Sequence, residues 1–130
     1  MSFETVRQNI TARLNTNYVG SYPIEWPNTE IVKPKNDLWF RFGIAGPDED
    51  RNEIGRAAYT AIGLIQFQVF APKNTGVKKS MELMDTLTGI FRNTTFNSIT
   101  CDGASITVVG LDEAWHQTNA IIPFEVDLVY

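Results

Sequence analysis

The chain contains one cysteine, Cys101, and one histidine, His116, in 130 residues. A lone cysteine excludes an internal disulfide and fits a reducing compartment. One Cys with one His does not make a dedicated zinc site, and neither a Ser/His nor a Cys/His pair has an orienting neighbour in the sequence. The phosphate-binding patterns GxxxxGK and GxGxxG are absent. No apolar run reaches the roughly 20 residues that span a bilayer. The opening stretch MSFETVRQNI lacks the basic-then-apolar profile of a signal peptide, so the protein is expected to be cytosolic where it is made. Basic residues are also scarce: 11 Lys+Arg stand against 15 Asp+Glu, a net charge of −4. With no Lys/Arg cluster, the chain is a poor candidate for gripping nucleic acid phosphates. Internal repeats and low-complexity linkers are missing, and one domain over residues 1–130 is expected.

What is present is a globular composition, 43% hydrophobic and 20% charged, in a chain long enough to bury a core. The stretch from Ala57 to Pro72 organises it. Ile65, Phe67 and Val69 alternate with Gln66 and Gln68, the period of a strand with one buried face. Pro72 ends that strand because it has no N–H for the next ladder bond. Leu38, Phe40, Phe42 and Ile44 share a face in a second alternation, leaving Trp39 and Arg41 on the other. A third runs from Trp115 to about Val129, with Ala120, Ile122, Phe124, Val126 and Leu128 inward and Pro123 marking an edge or a bulge. Ser98 to Cys101 and Ala104 to Val109 flank Asp102-Gly103, which reads as a hairpin or as one bulged strand.

Two helices complete the pattern. Ser2 caps the first, Met1 and Val6 form a hydrophobic staple, and Phe3, Val6, Ile10 and Leu14 follow helical spacing. The second is capped by Asn74 or Thr75 and buries Val77, Met81, Met84, Leu87 or Thr88, and Phe91. Between these elements, Tyr22 to Asn28 is extended, because each proline pushes its predecessor out of the helical region. Trp26 within it reads as an anchor on the domain body, or as part of a peptide-binding aromatic groove. The fold expected is α+β in two layers, in the order α-β-β-α-β-β. One twisted, mostly antiparallel sheet of about four to five strands carries two helices packed on one face.

Residues Gly46 to Arg56 concentrate charge: Asp48, Glu49, Asp50 and Glu53, interleaved with Arg51 and Arg56. Calcium loops need carboxylates at alternate positions and a late bidentate Glu, which this run does not supply. It reads as a solvated hairpin tip or as a charged contact with a neighbouring subunit. The sheet face away from the helices carries Trp39, Arg41, Gln66 and Gln68, with Leu64, Phe70, Glu125 and Asp127. That mixture is too apolar for free solvent and too polar for a core, and suits a contact between subunits. No catalytic residue, cofactor site or metal site is assigned.

Several segments together resemble the tail terminator-like proteins of long-tailed bacteriophages, the minor tail protein U type. They are the N-terminal helix, Ile24-Glu25-Trp26-Pro27-Asn28, Leu38-Trp39-Phe40-Arg41, and Gln66 through Lys73 with Gly76. A helix ending Ile90-Phe91 follows, then Trp115-His116-Gln117, Ile121-Ile122-Pro123-Phe124 and Asp127. The resemblance implies a structural virion protein at the head-proximal end of the tail. There it forms a six-membered ring that stops tube polymerisation and presents a joining surface to the head. The partners implied are other copies of the chain, the major tail tube protein and a head completion or neck protein. DNA is only cargo passing through, and no membrane is involved. Two other readings stay open: a different neck component, such as a head-closure or connector protein, and a small-molecule-binding or hydrolytic α+β domain.

Overall fold

The computed structural model describes residues 2–51, 58–111 and 114–129, apart from the side chains of 48–51, 58, 59, 128 and 129. Helix α1 covers Phe3–Asn17 and strand β1 Ile24–Glu25, followed by the long strands β2, Trp39–Arg51, and β3, Ala58–Pro72. Helix α2 spans Lys78–Phe91, and β4 (Thr95–Phe96), β5 (Ile99–Cys101), β6 (Ser105–Leu111) and β7 (Trp115–Val129) complete the chain. Seven strands form one mixed sheet in the order β1-β2-β3-β7-β5-β4, with β6 also paired to β7.

Side-chain alternation governs the three long strands. Phe40 and Phe42 of β2, Ile65, Phe67 and Val69 of β3, and Ala120, Ile122, Phe124 and Val126 of β7 are all buried. They form one core with Val6, Ile10 and Leu14 of α1 and Leu83, Met84, Leu87 and Phe91 of α2. Phe67 lies at its centre, with ring contacts to Phe40, Phe42 and Phe91 at 6.2, 5.6 and 6.0 Å. Gly63 belongs to the same face, and a Cβ there would lie 2.5 Å from the Phe124 ring and 2.8 Å from the Ala45 carbonyl oxygen. The Arg13 Nε–H donates to the Ile90 carbonyl oxygen at 2.8 Å, tying α1 to α2.

The helix ends follow local chemistry with two departures from expectation. The Ser2 hydroxyl accepts from the Thr5 N–H at 3.1 Å, as its capping role predicts. Phe3 is 48% exposed, however, and stands off the core. The expected Met1 staple lies outside the described residues. At α2 the N-cap is Val77, with no side-chain cap; Thr75 instead donates its hydroxyl hydrogen to the Pro72 carbonyl oxygen at 2.7 Å. Asn74 and Gly76 both take positive φ, of 66° and 76°, so this segment is spent on the turn. Val77 is accordingly exposed, while Ser80 takes a buried place.

The expected fold, a mostly antiparallel sheet of about four to five strands with two helices on one face in the order α-β-β-α-β-β, is overturned in its strand count, its element order and its one parallel pair. The observed order is α-β-β-β-α-β-β-β-β, and β1 runs parallel to β2. Two-residue strands such as β1 and β4 carry no period from which to read them. The Asp102-Gly103 ambiguity resolves toward the bulged strand. Strands β5 and β6 both pair with β7, as Cys101↔Phe124 and Ser105↔Ile121. Four steps along one chain face three along the other, the count of a single-residue bulge. It lies opposite Pro123, whose carbonyl oxygen accepts from the Asp102 N–H at 2.8 Å.

Candidate functional site

Residues that alternate with the core strip form the second face of the sheet. The register sets Trp39 beside Phe70, Arg41 beside Gln68 and Gly43 beside Gln66. Strand β7 adds Gln117, Asn119 and Ile121 opposite Phe70, Gln68 and Gln66. Of the four residues expected on this face, Arg41 and Gln66 are exposed, Gln68 is half-buried, and Trp39 is buried at 2% exposure. Trp39 therefore lies beneath this surface in the single chain.

A small charged lid explains that burial. The Trp39 ring stacks on Phe70 at 4.2 Å and meets Trp115 edge-on at 5.9 Å. Lys33 Nζ lies 5.2 Å from the Trp39 ring centre, and the Arg41 guanidinium lies 5.6 Å from it and 5.4 Å from Phe70. Both cations converge on Glu25: Arg41 Nε donates to Oε1 at 2.7 Å, and Lys33 Nζ sits 3.3 Å from Oε2. Oε2 has that ion pair but no aligned hydrogen bond. Arg41 Nη1 also donates to Gln68 Oε1 at 3.1 Å. Burial pushes the Glu25 carboxyl up, but the Arg41 hydrogen bond and charge, with those of Lys33, outweigh it and hold the group below its usual range. Glu25 and Lys33 were not foreseen as parts of this face. Glu25 pairs from a two-residue strand, and Lys33 lies in an irregular segment with no period to read.

The acidic run divides differently from expectation. The backbone of Asp48, Glu49, Asp50 and Arg51 extends β2, opposite Ile62, Ala61, Thr60 and Tyr59. Gly46 and Pro47 form a register shift within the strand and not the start of a loop, with Gly46 at φ 85°. Glu53 and Arg56 lie outside the described residues.

Strand β6 is exposed along nearly its whole length. Ile106, Val108, Val109 and Leu111 are 42 to 61% exposed. The lone cysteine and the lone histidine lie apart along the sheet, Cys101 opposite Phe124 and His116 opposite Leu111. Burial pushes the Cys101 thiol up to about 11, leaving it protonated and unreactive at neutral pH. His116 pairs with Leu111 and Ala71 at the far end of β7. Among the described residues, no three His, Cys, Asp or Glu side chains converge on a metal position. No helix among them is long and apolar enough to cross a membrane.

These surfaces carry aromatic, aliphatic and paired charged groups, and no metal-ligating set converges among the described residues. The family described as phage tail terminator protein matches residues 5–121. The chain belongs to the phage tail terminator family. That family is structural, and membership places the chain among the proteins of the virion tail, in association with other virion proteins. A solved protein structure superimposes with a TM-score of 0.71 at 18% identity, covering 100% of this chain and 98% of the other. At that identity the likeness speaks for the fold alone. No curated protein sequence matches the chain.

Proposed function

We propose that this terminator acts as a homohexameric ring on the head-proximal end of the tail tube of a long-tailed phage. The ring ends tube polymerisation and then offers a joining surface to a head completion protein. The observation that carries this reading is the family match over nearly the whole chain. Its partners are other copies of itself, the major tail tube protein and a neck protein, and DNA crosses the ring only as cargo. The protein works as one domain over residues 1–130, without a catalytic step.

Two sets of residues are assigned to assembly. Arg41, Gln66 and Gln68 contact a neighbour across the open face, with Trp39 as their support. Asp48, Glu49, Asp50, Arg51, Glu53 and Arg56 contact a neighbour or face the channel, where net negative charge repels passing phosphates. A ring needs heterologous contacts, one patch meeting a different patch on the next copy.

The test is a tube polymerisation reaction with and without the purified protein, read as tube length by electron microscopy. Addition should halt growth and leave a cap at one end. Tubes of unchanged length with bare ends would refute termination. The triple variant Asp48→Lys, Glu49→Lys, Asp50→Lys, checked for folding by circular dichroism, should give overlong tails. Normal lengths from that variant would remove the acidic run from the assembly surface.

A further inference from the structure

Two stretches of sheet edge lack a strand partner among the described residues, and they lie on opposite sides of the central ribbon. One is the outer edge of β6, which pairs only with β7. The other is the outer edge of β2 beyond Arg41, because β1 covers only Phe40 and Arg41. Edges without a strand partner are templates for adding a strand, and on β2 the stretch is Phe42 to Ala45, before the register shift at Gly46 and Pro47.

Three features match the two edges to each other. The first is direction. Strands β2, β3, β7 and β6 are successively antiparallel. An even number of alternating strands means that a second copy, rotated about an axis along the strands, brings its β2 antiparallel to the first copy's β6. The second is shape. Ile106 and Val108 point to the helix-bearing face, since they pair with the buried Ala120 and Thr118. On that same face, beside the free edge of β2, a groove of about 490 Å³ is lined by Phe3, Trp26, Ile44 and Pro47 among others. Phe3 is half exposed there with no core to fill. The third is charge. Strand β6 contains no ionisable side chain. At the groove rim, Arg7 Nε donates to Glu4 Oε2 at 2.8 Å, so the two charges there offset each other. An uncharged aliphatic strand thus faces an apolar groove that presents no unpaired charge among its lining residues.

We infer that the occupant of this groove is β6 of a second copy of the chain, which adds to the free edge of β2 and inserts Ile106 and Val108 beneath α1. The contact is heterologous, so it propagates from copy to copy and closes where the rotation closes. This inference rests on the ring reading above and names the surfaces that build it.

Val108→Asp and Phe3→Asp test the two sides separately, and both positions are about half exposed, so the fold should tolerate them. Val108→Lys replaces the first if Asp unfolds the chain, as judged by circular dichroism. Self-association is measured by analytical ultracentrifugation, free and with tail tubes. Each variant alone should associate roughly 30-fold or more weakly than the parent. An equimolar mixture of the two should form a dimer and nothing larger, because it retains one intact edge and one intact groove. A folded Val108→Asp protein that assembles like the parent would overturn the inference. So would a mixture without dimer, or a Phe3→Asp protein that still assembles, which would indicate symmetric β6–β6 pairing. These three outcomes leave the ring reading standing with another interface. A parent that stays monomeric both free and on tubes would remove both.

Discussion

The two faces of the β2-β3-β7 ribbon are closed by different physics. On one, Phe40, Phe42, Ile65, Phe67, Val69 and Phe124 meet two helices in a continuous apolar core. On the other, one tryptophan is shut from water by Phe70, Trp115 and two cations held on a single carboxylate. The first face gains stability from buried area and is unforgiving of volume change. The second gains little from area and depends on a few directed contacts, leaving Arg41, Gln66 and Ile121 at the surface. A chain that must both fold and assemble can therefore vary its second face without losing its first.

The largest expected effect breaks the helix face. Phe67→Ala should cost roughly 3–5 kcal/mol, because three facing rings cannot collapse into the space it leaves. A melting transition equal to that of the parent would show that the core lies elsewhere. Gly63→Ala tests the same face by addition. Its Cβ would press on Phe124 and on the backbone of β2, and overpacking of that kind costs about 1–3 kcal/mol. Denaturant unfolding checks it, and a neutral result would mean that the β2-β3-β7 ribbon is slack at this crossing.

On the second face, Glu25→Gln should cost about 1–2 kcal/mol, since it leaves Arg41 and Lys33 without their common partner. The same group sets a pH dependence. Its carboxyl is held below its ordinary value of 4.5 in the folded protein, so its stabilisation is fully present above that value. It is lost as the pH falls through the lower folded value. The parent should therefore lose stability on acidification more steeply than Glu25→Gln, and parallel curves would detach Glu25 from the lid. Gln66→Ala should change stability least, within about 0.5 kcal/mol, because the side chain is exposed. A larger loss would mean that Gln66 is part of the fold and not of a surface kept for partners.

The helix face was the legible one. Three strands wrote most of their burial as alternation, broken at Trp39 and Phe70, and Val6, Ile10 and Leu14 wrote theirs at helical spacing. Residues that meet a continuous apolar layer must repeat with the period of their element, so the pattern survives in the sequence. The second face was legible only in part. Its composition marked Trp39, Arg41, Gln66 and Gln68 as a surface, yet not that Trp39 is buried. That burial depends on Lys33 and Glu25, brought in by a parallel strand of two residues. The bulge opposite Pro123 was written ambiguously, since Asp102-Gly103 suits a hairpin equally well. Pairing partners are tertiary facts, and short strands leave no local trace of them.

The division between a folding face and an assembling surface is tested most directly by carbene footprinting of the protein, free and bound to tail tubes. Labelling should fall on binding at Gln66 and Ile121 of the second face and at Val108 and Val109 of β6. It should stay unchanged at Lys79, Glu82 and Thr86 on the outer side of α2. Protection confined to α2, with the second face and β6 labelled as in the free protein, would contradict the account.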